Sequence, residues 1–451
     1  MTSIHDLTRD QLADVLHGEP AYRVNQLWEG LYKQFLPVPD VKTLPAALRE
    51  RVCASHGEAL VEVERVESDG GDTVKYLWHL VDGGHPIETV LMYYRDRATV
   101  CVSTQAGCAM ACGFCATGQA GFTRHLTAGE IIEQVVRSAR EARTLERRID
   151  NIVFMGMGEP LANEEQVWQA VERIHDDIGI SARHLTISTV GIVPGIKTLT
   201  HRPLPVNLAV SLHAARNDLR DELVPINKRY PIEVLMNACR EYLTEKNRRI
   251  TFEWALIDGV NDTDRDAEEL AVLARSLHPT AHINLIPLNP TPGWPTRGSS
   301  KRRVGEFRDL LERFGANATI RQNRGTDIAA ACGQLAAGQP VKLREGSFQE
   351  VGFGVDEEVL PRPGHVHPAY QLLQEYFAFP RKFLFFDVNN LDAARGPHTC
   401  TDVLFLLDKP RRRGQSINRD TFKIGCTPII NLFRKTTEPL RIDQRKYEYR
   451  L

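Results

Sequence analysis

Three features that would narrow the class of protein are missing from this sequence. No stretch approaches the ~18 uninterrupted apolar residues of a membrane-spanning helix. The N-terminus has no basic region followed by an apolar core, so we expect no signal peptide. A net charge of −2 gives no overall basic field, and any contact with a nucleic acid must therefore come from local patches.

Cysteine is scarce outside one short region. The chain of 451 residues has nine cysteines, an odd number, and four of them lie between residues 101 and 115. A disulfide framework would spread an even number along the chain, so this pattern favours reduced thiols and a metal in a cytoplasmic protein. Hydrophobic residues make up 42% and charged residues 25%, which is ordinary for a globular chain of two or three domains.

The clustered cysteines form a candidate metal site. Cys108, Cys112 and Cys115 follow an extended-looking run, with the spacing C-x3-C-x2-C in a loop that contains glycine. Three ligands leave one coordination position open for another molecule, whereas a structural zinc site has four protein ligands. Phe114 adds an aromatic face that could stack on a purine. The alternatives at this point are a zinc knuckle and a chance group of buried thiols.

The pattern of apolar residues divides the chain into segments. Residues 5–56 show helical spacing, two β-rich runs are separated by Asp82-Gly83-Gly84, and strands then alternate with helices from 98 to about 322. This alternation predicts an α/β fold with a parallel sheet, either barrel-like or doubly wound. The predicted segments are a helical accessory domain at 1–60, a hairpin region at 61–97, an α/β domain at 98–338 and an appended segment at 339–451.

Polar and glycine residues follow several predicted strands, where parallel α/β folds gather their chemistry. A Gly-x-Gly-Glu turn ends in Gly158 and Glu159, and further residues lie at or after the next strands. Each has a simpler explanation by itself: a common turn, a strand-end cap or a buried histidine. Their shared position at one end of the sheet makes a binding site the better hypothesis. The residues concerned are Gly158, Glu159, Ser188, Ser211, His213 and Asn289.

Longer stretches carry a resemblance to a known family. The cysteine loop is similar to that of radical S-adenosylmethionine (SAM) enzymes, in which three cysteines hold a [4Fe-4S] cluster and SAM binds the fourth iron. Residues from about 5 to 338 resemble the RlmN family of dual-specificity RNA methyltransferases, which implies a radical SAM partial (β/α) barrel. The matching stretches are Cys101–Cys115, Phe154–Leu161, Ser211–His213, Asp221–Lys228, Ile283–Pro290 and Arg324–Leu335.

The resemblance implies roles for further residues. Cys332 matches the methyl-carrying cysteine, Cys101 its resolving partner and Glu88 the proton acceptor. In this family the thiolate receives a methyl from one SAM, and a radical from a second SAM takes a hydrogen from that methyl. The carbon then adds to C2 of adenine, a base removes the C2 proton, and the resolving thiol releases methylated RNA with formation of a disulfide.

Cofactor, substrate and partner expectations arise from the same resemblance. SAM would be bound by Gly158, Glu159, Ser188, Ser211, Leu212, His213 and Asn289. The expected substrates are adenines in 23S ribosomal RNA and in certain transfer RNAs, presented as unstacked or flipped bases. An electron donor such as flavodoxin or ferredoxin is a further expected partner. Candidate phosphate contacts are Lys301–Arg303, which read equally well as a solvated face, and Arg321–Arg324.

The end of the chain does not fit this family. Residues from about 341 to 451 resemble an internal piece of the type VI secretion baseplate protein TssF, and they have no catalytic constellation. The chain therefore reads as an enzyme followed by a fragment of a structural protein. Three other functions stay open: a structural protein with baseplate-type contacts, an RNA-binding zinc protein closed by Cys332, and a related enzyme that methylates adenine at C8.

Overall fold

The structure is a computed structural model that describes most of the first three quarters of the chain. Two compact units divide the chain, Met1–Val351 and Gly352–Leu451. Within the residues that the structure describes, no helix is both long and apolar enough to cross a membrane. The described residues are 2–68, 70–289, 297–322, 324–330 and 333–335, with three short strands between 385 and 424.

The N-terminal segment folds as short helices packed on the rest of the first unit. Their order agrees with the helical spacing in the sequence, and the indole N–H of Trp28 donates to Asp177 at 2.8 Å. Because the first unit includes these helices, their separation as an accessory domain stays a prediction. The elements are β1 (Thr2–Ser3), α1 (Arg9–Val15), α2 (Tyr22–Tyr32), α3 (Ala46–Ser55) and β2 (His56–Gly57).

Four antiparallel strands form one edge of the main sheet: β3 (Leu60–Glu67), β4 (Thr73–Leu80), β5 (Ile87–Tyr93) and β6 (Ala98–Cys101). The hairpin of β4 and β5 was expected, and their strand pairing confirms it. The sequence did not predict β3, because this edge strand leaves Val61 and Val63 exposed and buries almost no continuous face.

The cysteine loop lies between two short strands and the first long helix. Its elements are β7 (Gln105–Gly107), α4 (Ala116–Ala120), β8 (Phe122–His125) and α5 (Ala128–Thr144). The sequence Thr127-Ala-Gly-Glu130 predicts a capping box at the start of α5, and the structure confirms it. The Thr127 hydroxyl accepts from the Glu130 N–H, and the Glu130 carboxylate accepts from the Thr127 N–H.

The rest of the main sheet is parallel, as the alternation of strands and helices predicted. After β6 come β9 (Asn151–Phe154), β10 (Leu185–Thr189), β11 (Asn207–Ser211), β12 (Ile250–Leu256), β13 (His282–Pro287) and β14 (Asn317–Ile320). These strands lie side by side in chain order, so right-handed crossovers place the connecting helices on one face. A sequential parallel sheet of this kind is the framework of a partial (β/α) barrel.

The apolar spacing of the sequence predicts connecting helices at about 164–178, 232–245, 264–277 and 300–314, and the structure has a helix near each of these positions. It also has helices at 193–201 and 217–223, which the sequence analysis did not predict. The connecting helices are α6 (Glu164–Arg173), α7 (Val193–His201), α8 (Asn217–Leu223), α9 (Ile232–Lys246), α10 (Asp264–Arg275) and α11 (Lys301–Arg313). The helix predicted at 164–178 is α-helical only to Arg173. A π turn, Ile174–Ile178, follows and stops at Gly179, whose φ of 93° is left-handed.

In the second unit the structure describes three short strands. They are β15 (Phe385–Phe386), β16 (Val403–Leu407) and β17 (Asp420–Ile424), paired antiparallel in that order. This antiparallel sheet differs in type from the parallel sheet of the first unit.

Candidate active site

The predicted site residues gather at the carboxyl ends of the parallel strands. The Gly158–Glu159 turn comes after β9, Ser188 lies one residue before the end of β10, and Ser211 ends β11. The hydroxyl oxygens of Ser188 and Ser211 are 3.4 Å apart, on neighbouring strands. Asn289, two residues after β13, is also buried. The sheet thus brings together residues that are more than a hundred positions apart in the sequence.

The three cysteines of the loop are held by backbone hydrogen bonds. The Cys108 N–H donates to the Gly121 carbonyl at 2.8 Å, and the Cys115 N–H donates to the Cys112 carbonyl at 3.2 Å. Gly118 lies so close to this loop that a Cβ there would stand 3.1 Å from the Cys112 carbonyl oxygen. The loop therefore folds tightly, and it has little room for a larger side chain beside Cys112.

The electrostatic state of these thiols suits a metal centre. Burial raises the pKa of Cys108 well above its usual value, and nearby Cys115 and Cys112 raise it further. Burial likewise raises the pKa of Cys112, again with help from Cys115. Three thiols near one another, of which Cys108 and Cys112 are buried, cannot all become thiolates unless a cation compensates them.

The donor set fits an iron–sulfur cluster better than a single ion. Sulfur ligands without a carboxylate or histidine are typical of such clusters and of zinc. Among the described residues, no three His, Cys, Asp or Glu side chains are placed to hold one metal ion. In a cubane cluster each cysteine binds a different iron, so its sulfurs stand further apart than the ligands of one ion. The described thiols are thus compatible with a cluster held by three cysteines.

The Gly-x-Gly-Glu turn is packed against the start of the cysteine loop. The Glu159 N–H donates to the Gln105 side-chain oxygen at 2.8 Å. A Cβ at Gly158, whose φ is 104°, would stand 2.6 Å from the Gln105 Cβ, so only glycine fits this close approach. The Glu159 carboxylate accepts from the Val190 N–H at 2.8 Å and the Leu161 N–H at 3.1 Å. Burial raises the pKa of Glu159 to about 7 despite these bonds.

His213 is a neutral, fixed side chain beside the cysteine loop. Its Nδ1 accepts from the Ala255 N–H at 3.0 Å, so the ring proton is on Nε2. Burial, with a smaller effect of Arg220, lowers the pKa of His213 to about 3. Its ring meets that of Phe114 edge to face, with centroids 4.7 Å apart. Phe114 therefore contacts the strand-end residues, and Leu212 is fully buried next to them.

Cys101 and Glu88 lie on neighbouring antiparallel strands. Cys101 pairs with Val90, and Glu88 is two residues from Val90, so the side chains of Cys101 and Glu88 emerge on the same face. The Glu88 carboxylate forms an ion pair with the Lys75 ammonium at 2.8 Å, and both are largely buried. Sequence reasoning did not identify Lys75, because an alternating strand gives no sign that one lysine turns inward.

Cys332 lies outside the described residues, which end at Ala330 before it and resume at Gly333 after it. The Ala116 N–H donates to the Gly333 carbonyl at 2.8 Å, and the Thr117 hydroxyl donates to the Leu335 carbonyl at 2.6 Å. The first residues of α4, directly after Cys115, thus bond to the segment on the C-terminal side of Cys332. Cys101, Cys115, Thr117, Ala330, Gly333 and Leu335 line a common cavity.

A buried arginine is a second residue that the sequence did not reveal. Arg220, in α8, is fully buried and donates to the carbonyl oxygens of Leu212 at 3.0 Å, Val190 at 2.6 Å and Ser211 at 3.3 Å. It also donates to the side-chain oxygen of Asn227 at 3.0 Å. Burial lowers the pKa of Arg220 to about 10, so it stays charged at neutral pH.

The two basic segments differ in their surroundings. In the first segment, Lys301–Arg303, Arg303 pairs with Asp264 at 2.8 Å and Arg302 pairs with Glu306 at 3.5 Å. These two arginines thus form ion pairs with carboxylates of neighbouring helical residues. Arg324 also has an ion pair, with Asp72 at 3.4 Å, but it stacks over the Tyr94 ring at 4.3 Å and lines the cavity next to Cys101. The second segment is therefore the better candidate for contact with a substrate.

Comparisons with known proteins agree with this geometry. The radical SAM superfamily model matches residues 102–271. A probable dual-specificity RNA methyltransferase RlmN of Chloroflexus aurantiacus is 47% identical over 355 residues, covering 75% of this chain and 94% of that protein. A probable RlmN from a Parafrankia species is 48% identical over 361 residues, covering 76% of this chain and 93% of that protein.

A solved structure supports the same assignment. A radical SAM methyltransferase from Sphaerobacter thermophilus superposes with a TM-score of 0.72 at 49% sequence identity, covering 75% of this chain and all of that one. The α/β fold with a large parallel sheet and the radical SAM resemblance are thereby confirmed.

The end of the chain matches a different family. The model described as type VI secretion system, TssF covers residues 323–451. It confirms the resemblance expected for residues 341–451, and it begins earlier, one residue before the Arg324–Leu335 stretch that resembles the methyltransferases. The chain is therefore similar to two different families, one over most of its length and one at its C-terminal end. By its cysteine loop, its sheet and its relatives, the chain belongs to the RlmN family of radical SAM dual-specificity RNA methyltransferases.

Proposed function

We propose that this protein methylates C2 of adenine in 23S ribosomal RNA and in certain transfer RNAs, through a methylated cysteine and with two molecules of SAM. The family membership supports RNA methylation as the activity. C2 of adenine is electron-poor and cannot attack the SAM methyl directly, so a carbon radical route suits this position. Residues 98–338 would carry the chemistry, with the N-terminal helices as an RNA-binding accessory.

Cys108, Cys112 and Cys115 are the proposed ligands of a [4Fe-4S] cluster, with SAM at the open position. When bound, cluster and SAM supply the radical that removes a hydrogen atom from a methyl group. The chain itself would exclude water from this centre, since Cys108, Cys112 and Phe114 are buried. The tight backbone of the loop would fix the three sulfurs relative to one another.

SAM would lie across the strand ends. The proposed contacts are the backbone at Gly158, the carboxylate of Glu159 for the amino group, the hydroxyls of Ser188 and Ser211 for the ribose, and the Asn289 amide. Leu212 and His213 would border the adenosine portion, where the Nε2–H of neutral His213 can donate. The support is their common position at the carboxyl edge of the sheet and their burial.

Cys332 is the proposed methyl carrier, and Cys101 the thiol that resolves it. The Cys332 sulfur would accept a methyl, deliver its carbon to C2 and finally be attacked by the Cys101 sulfur. That attack forms the S–S bond and breaks the bond from sulfur to carbon; the carbon takes up a proton and stays on the RNA as the methyl group. The observation that carries this proposal is the pair of hydrogen bonds from Ala116 and Thr117 to Gly333 and Leu335. They tie the Cys332 segment to the cysteine loop.

Glu88 is the proposed base for the C2 proton. Its side chain shares a face with Cys101, and its carboxylate forms an ion pair with the Lys75 ammonium 2.8 Å away. A buried ion pair of this kind can hold an anion ready in a site from which water is excluded. Lys75 would thus act through Glu88 as a positioning residue.

The partners are inferred from this chemistry. The substrate base would be unstacked or flipped to reach the cavity that Tyr94 and Arg324 border. A cytoplasmic one-electron donor such as flavodoxin or ferredoxin would reduce the cluster. Rigid stacking of Arg324 on Tyr94 offers a flat cationic surface for a nucleotide.

An anaerobic product assay tests the proposal. Protein purified without oxygen is analysed for iron and sulfide and incubated with SAM, a reductant and a 23S RNA fragment. We expect 2-methyladenosine and 5′-deoxyadenosine from the parent protein and no methylated RNA from Cys332→Ala. Cys53→Ala, a half-buried thiol in α3, is the control and should keep full activity. Recovery of 8-methyladenosine instead would replace C2 by C8 as the target.

A second candidate function rests on the TssF match at residues 323–451. In that case the chain would contact baseplate subunits through its second unit, with the enzyme as an attached domain. Co-purification with baseplate proteins tests this, using residues 1–338 alone as control. Binding that persists without the second unit would rule out this function for residues 339–451.

A further inference from the structure

We propose that Arg220 is the fixed positive charge that sets the reduction potential of the cluster while holding the strand ends that carry SAM. This inference rests on the proposed cysteine ligands and goes beyond the assigned functional residues. In the described part of the chain, the hydrogen bonds of Arg220 go to Val190, Ser211, Leu212 and Asn227 and not to the three cysteines, so its effect would be exerted through charge and position.

The hydrogen bonds of Arg220 make it a structural centre below the site. Three of its acceptors are carbonyl oxygens at the ends of β10 and β11, those of Val190, Ser211 and Leu212. Val190 in turn donates its N–H to Glu159. One guanidinium therefore connects the Glu159 turn with the two strand ends from which Ser188 and Ser211 project.

The charge of Arg220 lacks a direct partner in the part of the chain that the structure describes. Its four acceptors are neutral, and none is a carboxylate. The carboxylate of Asp221 is bonded to the other side of Asn227, at 2.6 Å from its amide nitrogen. A buried cation without a paired anion is costly, so an anion elsewhere in the site must compensate it.

Cys112 is the anion that meets this requirement. Arg220 holds the Leu212 carbonyl, and the next residue, His213, meets Phe114 of the cysteine loop with ring centroids 4.7 Å apart, which places the guanidinium near that loop. The electrostatic interaction of Arg220 with Cys112, larger than that with Cys239 or Asp221, agrees with this position. Cys239 is uncharged at neutral pH, since burial raises its pKa to about 12. Cys112 as a cluster ligand is a thiolate by necessity. The cationic guanidinium and the anionic cluster would therefore stabilise each other.

The consequence concerns the electron that the cluster must accept. A [4Fe-4S] cluster with net charge +2 and three thiolates totals −1, and one added electron makes it −2. A nearby buried cation stabilises the reduced form more than the oxidised form. Loss of the charge should therefore make reduction harder, lowering the ratio of reduced to oxidised cluster at a fixed potential.

Anaerobic redox titration of the full-length protein tests this. At the midpoint potential of the parent protein, Arg220→Gln should lower the ratio of reduced to oxidised cluster on the order of tenfold, equivalent to about 59 mV for one electron. Arg220→Lys keeps the charge and should stay within about twofold of the parent, while binding SAM more weakly because the fork of donors is lost. Arg183→Gln removes an exposed charge before the other end of β10 and should change nothing.

The variants also separate the competing explanations. Arg220→Met is a second uncharged variant, because an apolar chain of similar length can replace a buried ion without loss of folding. The proposal is overturned if an uncharged variant retains iron and has the same ratio of reduced to oxidised cluster as the parent protein. It is also overturned if Arg220→Lys lowers this ratio as much as Arg220→Gln does. A parent protein that binds no iron overturns the proposed cysteine ligands, and this inference with them.

Discussion

At the scale of single residues, the site combines groups whose ionisation is set by burial. Glu159 is the carboxylate whose state matters near neutral pH, because burial raises its pKa to about 7. Above that value it is an anion that can accept from the amino group of SAM. Below it the proton occupies an acceptor position, and the charge-assisted hydrogen bond is lost.

This gives a prediction for SAM binding. Lowering the pH from 8 to 6 should weaken binding of SAM by an extra factor of about five, since a neutral acceptor bonds less strongly than a charged one. Equilibrium dialysis of the anaerobic, reconstituted protein with labelled SAM measures this. Glu159→Gln should bind SAM weakly at both pH values, and its binding should change less between them. Glu268→Gln, at an exposed position, should bind SAM with the same affinity and pH dependence as the parent protein. Equal pH responses in all three proteins would contradict the assignment of Glu159.

At the scale of elements, the first turn of α5 anchors the N-terminal segment. The Asp6 carboxylate accepts from the Gly129 N–H at 2.7 Å and from the Thr127 hydroxyl at 3.1 Å. A Cβ at Gly129 would stand 2.6 Å from the backbone nitrogen of Asp6. Because Gly129 has no side chain, the N-terminal segment can pack directly against this turn of α5.

Two glycines in helices make a matched test. Gly129→Ala should destabilise the fold by about 1–3 kcal/mol through overpacking against Asp6. Gly305→Ala in α11 has open space around its Cβ and should stabilise by about 0.5–1 kcal/mol, the ordinary preference of a helix for alanine. Thermal unfolding should therefore shift a few degrees downward in the first variant and slightly upward in the second. A Gly129→Ala protein as stable as the parent would show that the N-terminal segment can move aside.

The elements also show how far the sequence determines the structure. The strands from β9 to β13 were predictable because strand-like segments alternate with helix-like segments in this part of the chain, a pattern typical of a parallel sheet covered by helices. Edge strand β3 was not, since most of its side chains are exposed. Among site residues, those at strand ends were predictable from position. The role of Arg220 was not predictable from the sequence. Its hydrogen-bond acceptors lie at the ends of two strands and on Asn227, and only the folded chain brings them together.

At the scale of the whole molecule, most of the chain is similar to RNA methyltransferases, and its C-terminal end is similar to a second family. Relatives are covered almost to their full length, and the TssF match occupies the C-terminal remainder of the chain. Because the catalytic pattern is complete by Leu335, the second unit is not expected to supply a group to the site.

Removal of the second unit should therefore leave catalysis intact. A protein ending at Gly338 is expected to form 2-methyladenosine with kcat/KM within about twofold of the full chain, since the catalytic groups and their contacts are kept. Product formation by both proteins, normalised to their iron content, measures this. A truncated protein with full iron content and at least tenfold lower activity would mean that the second unit takes part in the reaction.

The hydrogen bond from the Thr117 hydroxyl to the Leu335 carbonyl joins residues that are 218 positions apart in the sequence. A ribosome adding ~5–20 residues per second makes the cysteine loop ~10–40 seconds before the segment that bonds to it. During that time the loop lacks its partner, and its thiols are accessible from the side that later closes. We therefore expect a cluster to enter this loop more readily during synthesis than after the catalytic unit is complete.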